Sequence, residues 1–231
     1  MSDDPVFLIT GASTGIGAAT ARQAAAAGYR VVLAARSTDK LVALAGELGG
    51  SDRALAVACD VTEWEQQQAM VAAALEAFGR IDVVFANAGF GARRGFLEES
   101  PEHWRAMVLT NVYGAALTIR ATIGELRRGR GHLLLTGSVA GRVALPGSLY
   151  SCTKWAVTAM AQAARQELDD NSGVRVTLIE PGMVATPFFE NDVSQWALKA
   201  DDVADAVMYA VTRPKTVDVS DIMVRPILQP S

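Results

Sequence analysis

Short apolar runs separated by longer amphipathic stretches recur along the whole chain, and no other feature restricts the fold as strongly. The runs fall at residues 6–10, 30–35, 54–59, 83–87, 131–136, 174–179 and 220–224, each of strand length. Strands that are apolar throughout are buried on both faces, and strands alternating with helix-length segments build parallel βαβ units. The expectation is an α/β fold, a doubly wound parallel sheet of seven strands with helices on both faces.

Local signals punctuate this pattern. Thr62 with Glu65 has capping-box spacing, Ser100 before Pro101 has the form of an N-cap followed by proline at the first helical position, and Gly28 is placed to close the first helix. No linker or repeat interrupts the alternation, so residues 1–231 are expected to form a single domain. The formal charge of −4 gives no basic footprint for nucleic acid or an anionic membrane. The start, Met1-Ser2-Asp3-Asp4-Pro5, is acidic where a secretory signal is basic, and no apolar run approaches the roughly 18 residues that span a bilayer, which makes the cytoplasm the expected location. Cys59 and Cys152 read as plain core residues, and with only His103 and His132 besides them no metal site is expected.

In parallel sheets of this kind ligands bind beyond the carboxyl ends of the strands, so the loops there carry the chemistry. The first is Thr10-Gly11-Ala12-Ser13-Thr14-Gly15-Ile16-Gly17, a glycine-rich turn running into an alanine-rich helix. Glycine permits a tight turn and lets backbone amides at a helix N-terminus approach a pyrophosphate; a bland strand–helix connection has the same look. Further on, Tyr150 and Lys154 stand four residues apart in a helical segment, on one face. A cation at about 5 Å and an effective dielectric of about 20 stabilises a phenolate by about 3 kcal/mol, or about two pKa units, which would make Tyr150 an acid–base group. Such pairs are also common as surface decoration.

Thr10–Gly17, Asn87-Ala88-Gly89, Asn111, Ser138, Tyr150, Lys154 and Pro181-Gly182 occur in the order and at nearly the spacings of the short-chain dehydrogenase/reductase family, and the resemblance covers essentially the whole chain. It implies a Rossmann-type fold, a nicotinamide cofactor and hydride transfer to or from a carbonyl carbon. By that resemblance Tyr150 is the acid in reduction and the base in oxidation, Lys154 lowers its pKa and holds the nicotinamide ribose, Ser138 hydrogen-bonds the substrate oxygen, and Asn111 orients a water that links Lys154 to solvent. Taken singly, Ser138 is an ordinary strand-end serine and Asn111 an ordinary cap or kink residue.

The same resemblance lays the cofactor along Gly11, Ser13, Thr14, Gly15, Ile16 and Gly17, then Asp60 and Val61 at the adenine, Asn87, Ala88 and Gly89, and finally Pro181, Gly182, Val184 and Thr186 at the carboxamide. After the second strand the chain reads Ala35-Arg36-Ser37, with alanine where NAD-specific members usually have aspartate. Arg36 offers a permanently charged planar fork and Ser37 a further donor, which favours NADP(H) over NAD(H), although an arginine past a strand is also an ordinary solvated charge. The substrate pocket is framed by residues 90–95, 139–148 and 184–189, with Phe90, Arg93, Arg142, Leu145, Phe188 and Phe189 as candidate contacts and Arg94 beside them. Residues 221–229 resemble members acting on 3-hydroxy acids, serine-like substrates and small alcohols; a broad carbonyl reductase or a 3-ketoacyl reductase fits nearly as well. A redox-sensing regulator without turnover is the alternative of a different class, although such members usually lack the tyrosine or the lysine. Family resemblance also implies a homodimer or homotetramer through helices near 115–128 and 155–168.

Overall fold

The computed structural model describes residues 3–168, 172–186 and 196–228. Its strands are β1 (Val6–Thr10), β2 (Arg30–Ala35), β3 (Ala54–Ala58), β4 (Val83–Ala86), β5 (His132–Thr136), β6 (Arg175–Pro181) and β7 (Asp221–Val224). They form one seven-stranded sheet in the order β3-β2-β1-β4-β5-β6-β7, parallel at every pairing. The helices are α1 (Gly15–Ala26), α2 (Thr38–Glu47), α3 (Trp64–Phe78), α4 (Pro101–Val108), α5 (Ala115–Gly129), α6 (Leu149–Leu168) and α7 (Ala200–Val211).

Successive strand residues face opposite sides of the sheet, so the apolar runs feed two separate cores. Phe7, Ile9, Val31, Leu33, Phe85 and Leu134 pack with α1, α2 and α7 on one side. Val6, Leu8, Val32, Val84, Leu133 and Leu135 pack with α3, α5 and α6 on the other. Sheet order reverses direction at β1, which lies between β2 and β4. The connections leaving β1 and β4 therefore diverge to opposite faces and open a crevice beyond their carboxyl ends.

Helix ends follow the local chemistry in part. The Ser100 side chain accepts from the His103 amide at 3.1 Å, with Pro101 opening α4, and Gly28 adopts φ +93° just after α1. The capping box expected at Thr62 and Glu65 is not formed. The Thr62 hydroxyl instead donates to Asp60 Oδ1 at 2.8 Å, a nearer partner two residues back, and α3 starts from Glu63. Helices α4 and α5 run on through a π-helical turn, Leu109–Gly114, as one helix over Pro101–Gly129 that is long and apolar enough by length and composition to cross a bilayer. Along it Met107, Leu117, Thr118, Thr122 and Leu126 are buried within the fold.

Cys59 is buried, but Cys152 is exposed, contrary to the expectation for it, because α6 turns Ser151, Thr153 and Lys154 inward and leaves position 152 on the outer side. His132 lies buried in β5, with Nε2 against Thr177 Oγ1 at 2.7 Å and Nδ1 without a partner. Burial, and secondarily the charge of Arg175, pulls its pKa down to about 3. A base depressed on folding leaves stability intact above its unfolded pKa of about 6.5 and removes it as the pH falls towards the folded value. Urea unfolding between pH 6.5 and 4.5 is expected to show about 2–3 kcal/mol lost from this residue alone, with His132→Leu flattening that slope; an unchanged slope would show that His132 is not the group responsible.

Candidate active site

At the end of β1 the chain turns sharply at Gly11, which has φ +67°, and a side chain on Gly17 would place its Cβ 2.3 Å from the Gly11 carbonyl oxygen. The turn is tied to the loop after β4. Asn87 Nδ2 donates to Thr10 O at 3.0 Å and Gly11 O at 3.4 Å, while the amides of Asn87 and Ala88 donate to Thr10 Oγ1 at 3.1 and 3.2 Å. Thr136 at the end of β5 completes the clamp by donating to Asn87 Oδ1 at 3.0 Å. Helix α1 starts at Thr14 with no side-chain cap and no acidic residue in its first turn, which leaves its N-terminal amides and positive dipole end open to an anion. Gly15 adopts φ +55° facing Thr186, which brings the segment after β6 against the turn. These residues fit a dinucleotide pyrophosphate, with Ser13 and Ile16 carried in the same turn.

At the tip of β2, Arg36 and Ser37 are exposed, and no ion pair engages Arg36 among the described residues. Asp60 turns back on Thr62, and Val61 is buried beside it. The Val61 carbonyl accepts from Gln67 Nε2 at 2.9 Å, and the same amide reaches Gly114 O at 3.2 Å and Thr118 Oγ1 at 2.9 Å. Gln67 thus takes a carbonyl at the end of the π turn, where the widened hydrogen-bond pattern leaves acceptors over. Nothing in the sequence singles out Gln67, since two of its three partners, Gly114 and Thr118, lie far away along the chain.

Asn111 sits inside the π turn. Its Nδ2 donates to Phe90 O at 2.9 Å and Thr153 Oγ1 at 3.1 Å, and its Oδ1 accepts from the Phe90 amide at 3.0 Å. One side chain thus holds the start of the loop after β4, with Gly89 packed against it, to the helix that carries Tyr150 and Lys154. Thr153 is a second residue that sequence reasoning passed over.

Ser138, Tyr150 and Lys154 converge at the carboxyl end of β5. Ser138 Oγ accepts from the Ala140 amide at 3.1 Å, donates to Pro181 O at 3.4 Å and hydrogen-bonds Tyr150. Lys154 is buried, its Nζ donating to Thr136 O at 2.7 Å and lying 5.6 Å from the centre of the Tyr150 ring. The expected depression of the Tyr150 pKa by Lys154 is not what the geometry gives. Burial pushes the phenol up to about 12, with the Ser138 hydrogen bond acting against it, and burial pulls Lys154 down to about 8. Desolvation opposes ionisation of both groups and outweighs the attraction between their charges.

The substrate candidates separate. Phe90 is fixed by Asn111 and meets His103 edge-on, with ring centres 5.2 Å apart. Leu145 is half-buried, its amide donating to Ser151 Oγ at 3.3 Å, and its loop is joined to the loop after β4 where Gly95 N donates to Gly147 O at 2.9 Å. Arg93 and Arg94 are exposed on that second loop. Arg142, a candidate from its loop position, is instead engaged by carboxylates, donating to Glu180 at 2.7 and 3.0 Å and to Asp221 at 2.7 Å. The Nε–Nη2 edge of the guanidinium is thus spent on Glu180, with Nη2 also on Asp221, and we do not count Arg142 among the substrate contacts. Phe188 and Phe189 lie outside the described residues. Pro181 ends β6, the Gly182 amide donates to Val224 O at 2.7 Å, and Val184 is buried and bridged to Leu198.

A family model described as short chain dehydrogenase matches residues 5–197. An uncharacterized oxidoreductase of Staphylococcus haemolyticus is 38% identical over 226 residues, covering 96% of this chain and 97% of the relative. Among solved structures, an alcohol dehydrogenase from the archaeon Thermococcus sibiricus, complexed with 5-hydroxy-NADP, is 34% identical with a TM-score of 0.91 over 99% of both chains. A 3-ketoacyl-(acyl-carrier-protein) reductase from Brucella melitensis, complexed with NADH, is 29% identical with a TM-score of 0.88 over 96% of both.

Proposed function

The chain belongs to the short-chain dehydrogenase family, and we propose that within it the protein is an NADP(H)-dependent oxidoreductase that moves hydride between the nicotinamide and a carbonyl or secondary alcohol, with Tyr150 as the acid–base group. The observation that carries this reading is the convergence of Ser138, Tyr150 and Lys154 on one point beside the glycine turn. A bound dihydronicotinamide supplies the hydride. Ser138 and Tyr150 hold the carbonyl oxygen, and Tyr150 gives it a proton as negative charge develops there. A phenol kept neutral by burial is the form that reduction needs. Lys154, with its pKa near 8, keeps a proton at neutral pH that it can pass towards Tyr150. Asn111 keeps the substrate loop and the catalytic helix in register.

The turn from Gly11 to Gly17 and the start of α1 would hold the pyrophosphate, Asp60 and Val61 the adenine, Asn87 to Gly89 and Lys154 the nicotinamide half, and Pro181, Gly182, Val184 and Thr186 the carboxamide. Arg36 and Ser37 would take a 2′-phosphate, which is the ground for preferring NADP(H). Arg36→Ala is expected to weaken NADPH binding by about 1.5–3 kcal/mol in a fluorescence titration and leave NADH nearly unchanged; equal losses for both would remove the basis for the preference. The same reading puts the protein in the cytoplasm as a homodimer or homotetramer, for which the half-exposed Tyr113 and Trp155 on adjoining helices give a surface.

The test of function is a screen of ketones, 3-oxo acids and 3-hydroxy acids, followed by NADPH absorbance in both directions. One turned-over compound names the substrate and direction together. Tight NADPH binding with no turnover across the panel would favour a redox-sensing protein instead.

A further inference from the structure

We propose that Glu180 and Arg142 are positioning residues for the reaction, a buried carboxylate held by a partly exposed guanidinium that together fix the Ser138 segment against the segment beginning at Pro181. The inference rests on the assignment of Ser138 and Tyr150 to carbonyl chemistry. Glu180 is 1% exposed and lies near the end of β6, directly before Pro181 and Gly182. A carboxylate at that depth is kept only with a partner that satisfies both oxygens. Arg142 does so, with Nε to Oε1 at 2.7 Å and Nη2 to Oε2 at 3.0 Å, the two-pronged arrangement that also fixes direction.

What the pair joins gives it its function. Arg142 closes the short helical turn Val139–Gly141 that starts at Ser138. The same two segments meet at two further points, where Gly137 N donates to Ile179 O at 2.7 Å and Ser138 Oγ donates to Pro181 O at 3.4 Å. Gly137 leaves little room for adjustment, since a Cβ there would lie 3.0 Å from Leu178 and 3.1 Å from the Glu180 side chain. The Ser138 hydroxyl therefore has its position relative to Tyr150 set from β6, through a pair whose ends lie within four residues of Ser138 and Pro181. Asp221 on β7 also meets Arg142, at 2.7 Å, and pairs with Arg165 on α6, but its side chain is 36% exposed. An exposed partner of this kind contributes little, whereas the buried one is not replaceable by solvent.

Three variants test this, each read by kcat, KM for the carbonyl, NADPH affinity and amide hydrogen exchange. Glu180→Gln keeps the shape and removes the charge, and is expected to lower kcat about 10–100-fold while both affinities stay within about threefold, the signature of a misplaced catalytic group. Exchange at residues 138–142 accelerates by at least about tenfold in the same variant while β1 and α1 keep their protection. Arg142→Lys, which retains the charge but not the fork, is expected to lie between wild type and Glu180→Gln and serves if the first variant fails to fold. Asp221→Asn stays within about twofold of wild type. Wild-type kcat and exchange in folded Glu180→Gln overturn the proposal, as does an equal loss in Asp221→Asn. Should the unaltered protein reduce no carbonyl, the functional assignment falls, and the exchange data alone then decide whether the pair holds the two segments.

Discussion

Tyr150→Phe is expected to lower turnover by about two to four orders of magnitude and to leave NADPH affinity within about threefold, because the substitution removes one hydroxyl and nothing that shapes the proposed nucleotide site. The expectation comes from two contacts and from burial. The phenol is hydrogen-bonded to Ser138, stands over the buried Lys154 cation, and is kept protonated by burial with a pKa near 12. The phenol is thus neutral near neutral pH, and the nearer titration is that of Lys154. Lys154 titrates near 8, so carbonyl reduction by the unaltered protein is expected to hold level below that pH and to decline as the pH rises through it. The residual rate of the Phe variant lacks this decline, since there is no phenol to refill. Stopped assays from pH 6 to 10 on both proteins check the two statements together, and a variant with wild-type turnover removes Tyr150 from the chemistry.

Gly17→Ala is expected to have the next largest effect, on binding and not on chemistry. Its Cβ would stand 2.3 Å from Gly11 O and 2.9 Å from Asn87 Nδ2. Both neighbours are held, Gly11 by its left-handed turn and Asn87 by its bonds to Thr10, Gly11 and Thr136, so neither gives way cheaply. Restoring an ordinary contact requires a shift of about 1 Å in the turn that would face the pyrophosphate. We expect a loss of about 3 kcal/mol in stability and at least about a hundredfold in NADPH affinity, measured by melting and by fluorescence titration. Near-normal binding would show that the turn does not carry the nucleotide.

The fold was legible because it depends on repetition. All seven strands fall within two residues of the positions that the apolar runs mark, and the caps at Ser100 and Gly28 are set by residues a few positions away. Where an outcome depends on a distant partner, local spacing misleads. Thr62 is within reach of Asp60 and leaves the capping box unformed. Arg142 meets Glu180, 38 residues on, and Asp221, 79 residues on, which no loop position reveals. The pKa of Tyr150 is likewise set by its desolvation and by Ser138, and the four-residue spacing to Lys154 says nothing of either. Asn111 was found by its resemblance, but its grip on Phe90 follows from a widened helical turn that has no signature in a single sequence.

That turn has a consequence for how the chain can vary in length. A π turn admits one residue beyond the α-helical count, equivalent to about 100° of rotation, so everything from Ala115 onward is clocked around the axis by that amount relative to α4. Excising a single residue between 109 and 114 would restore an unbroken spiral and swing either the sheet-facing stripe of α5 or the loop-facing side of α4 out of contact. Insertions and deletions in homologous chains should therefore collect in the surface connections and spare this one stretch of helix.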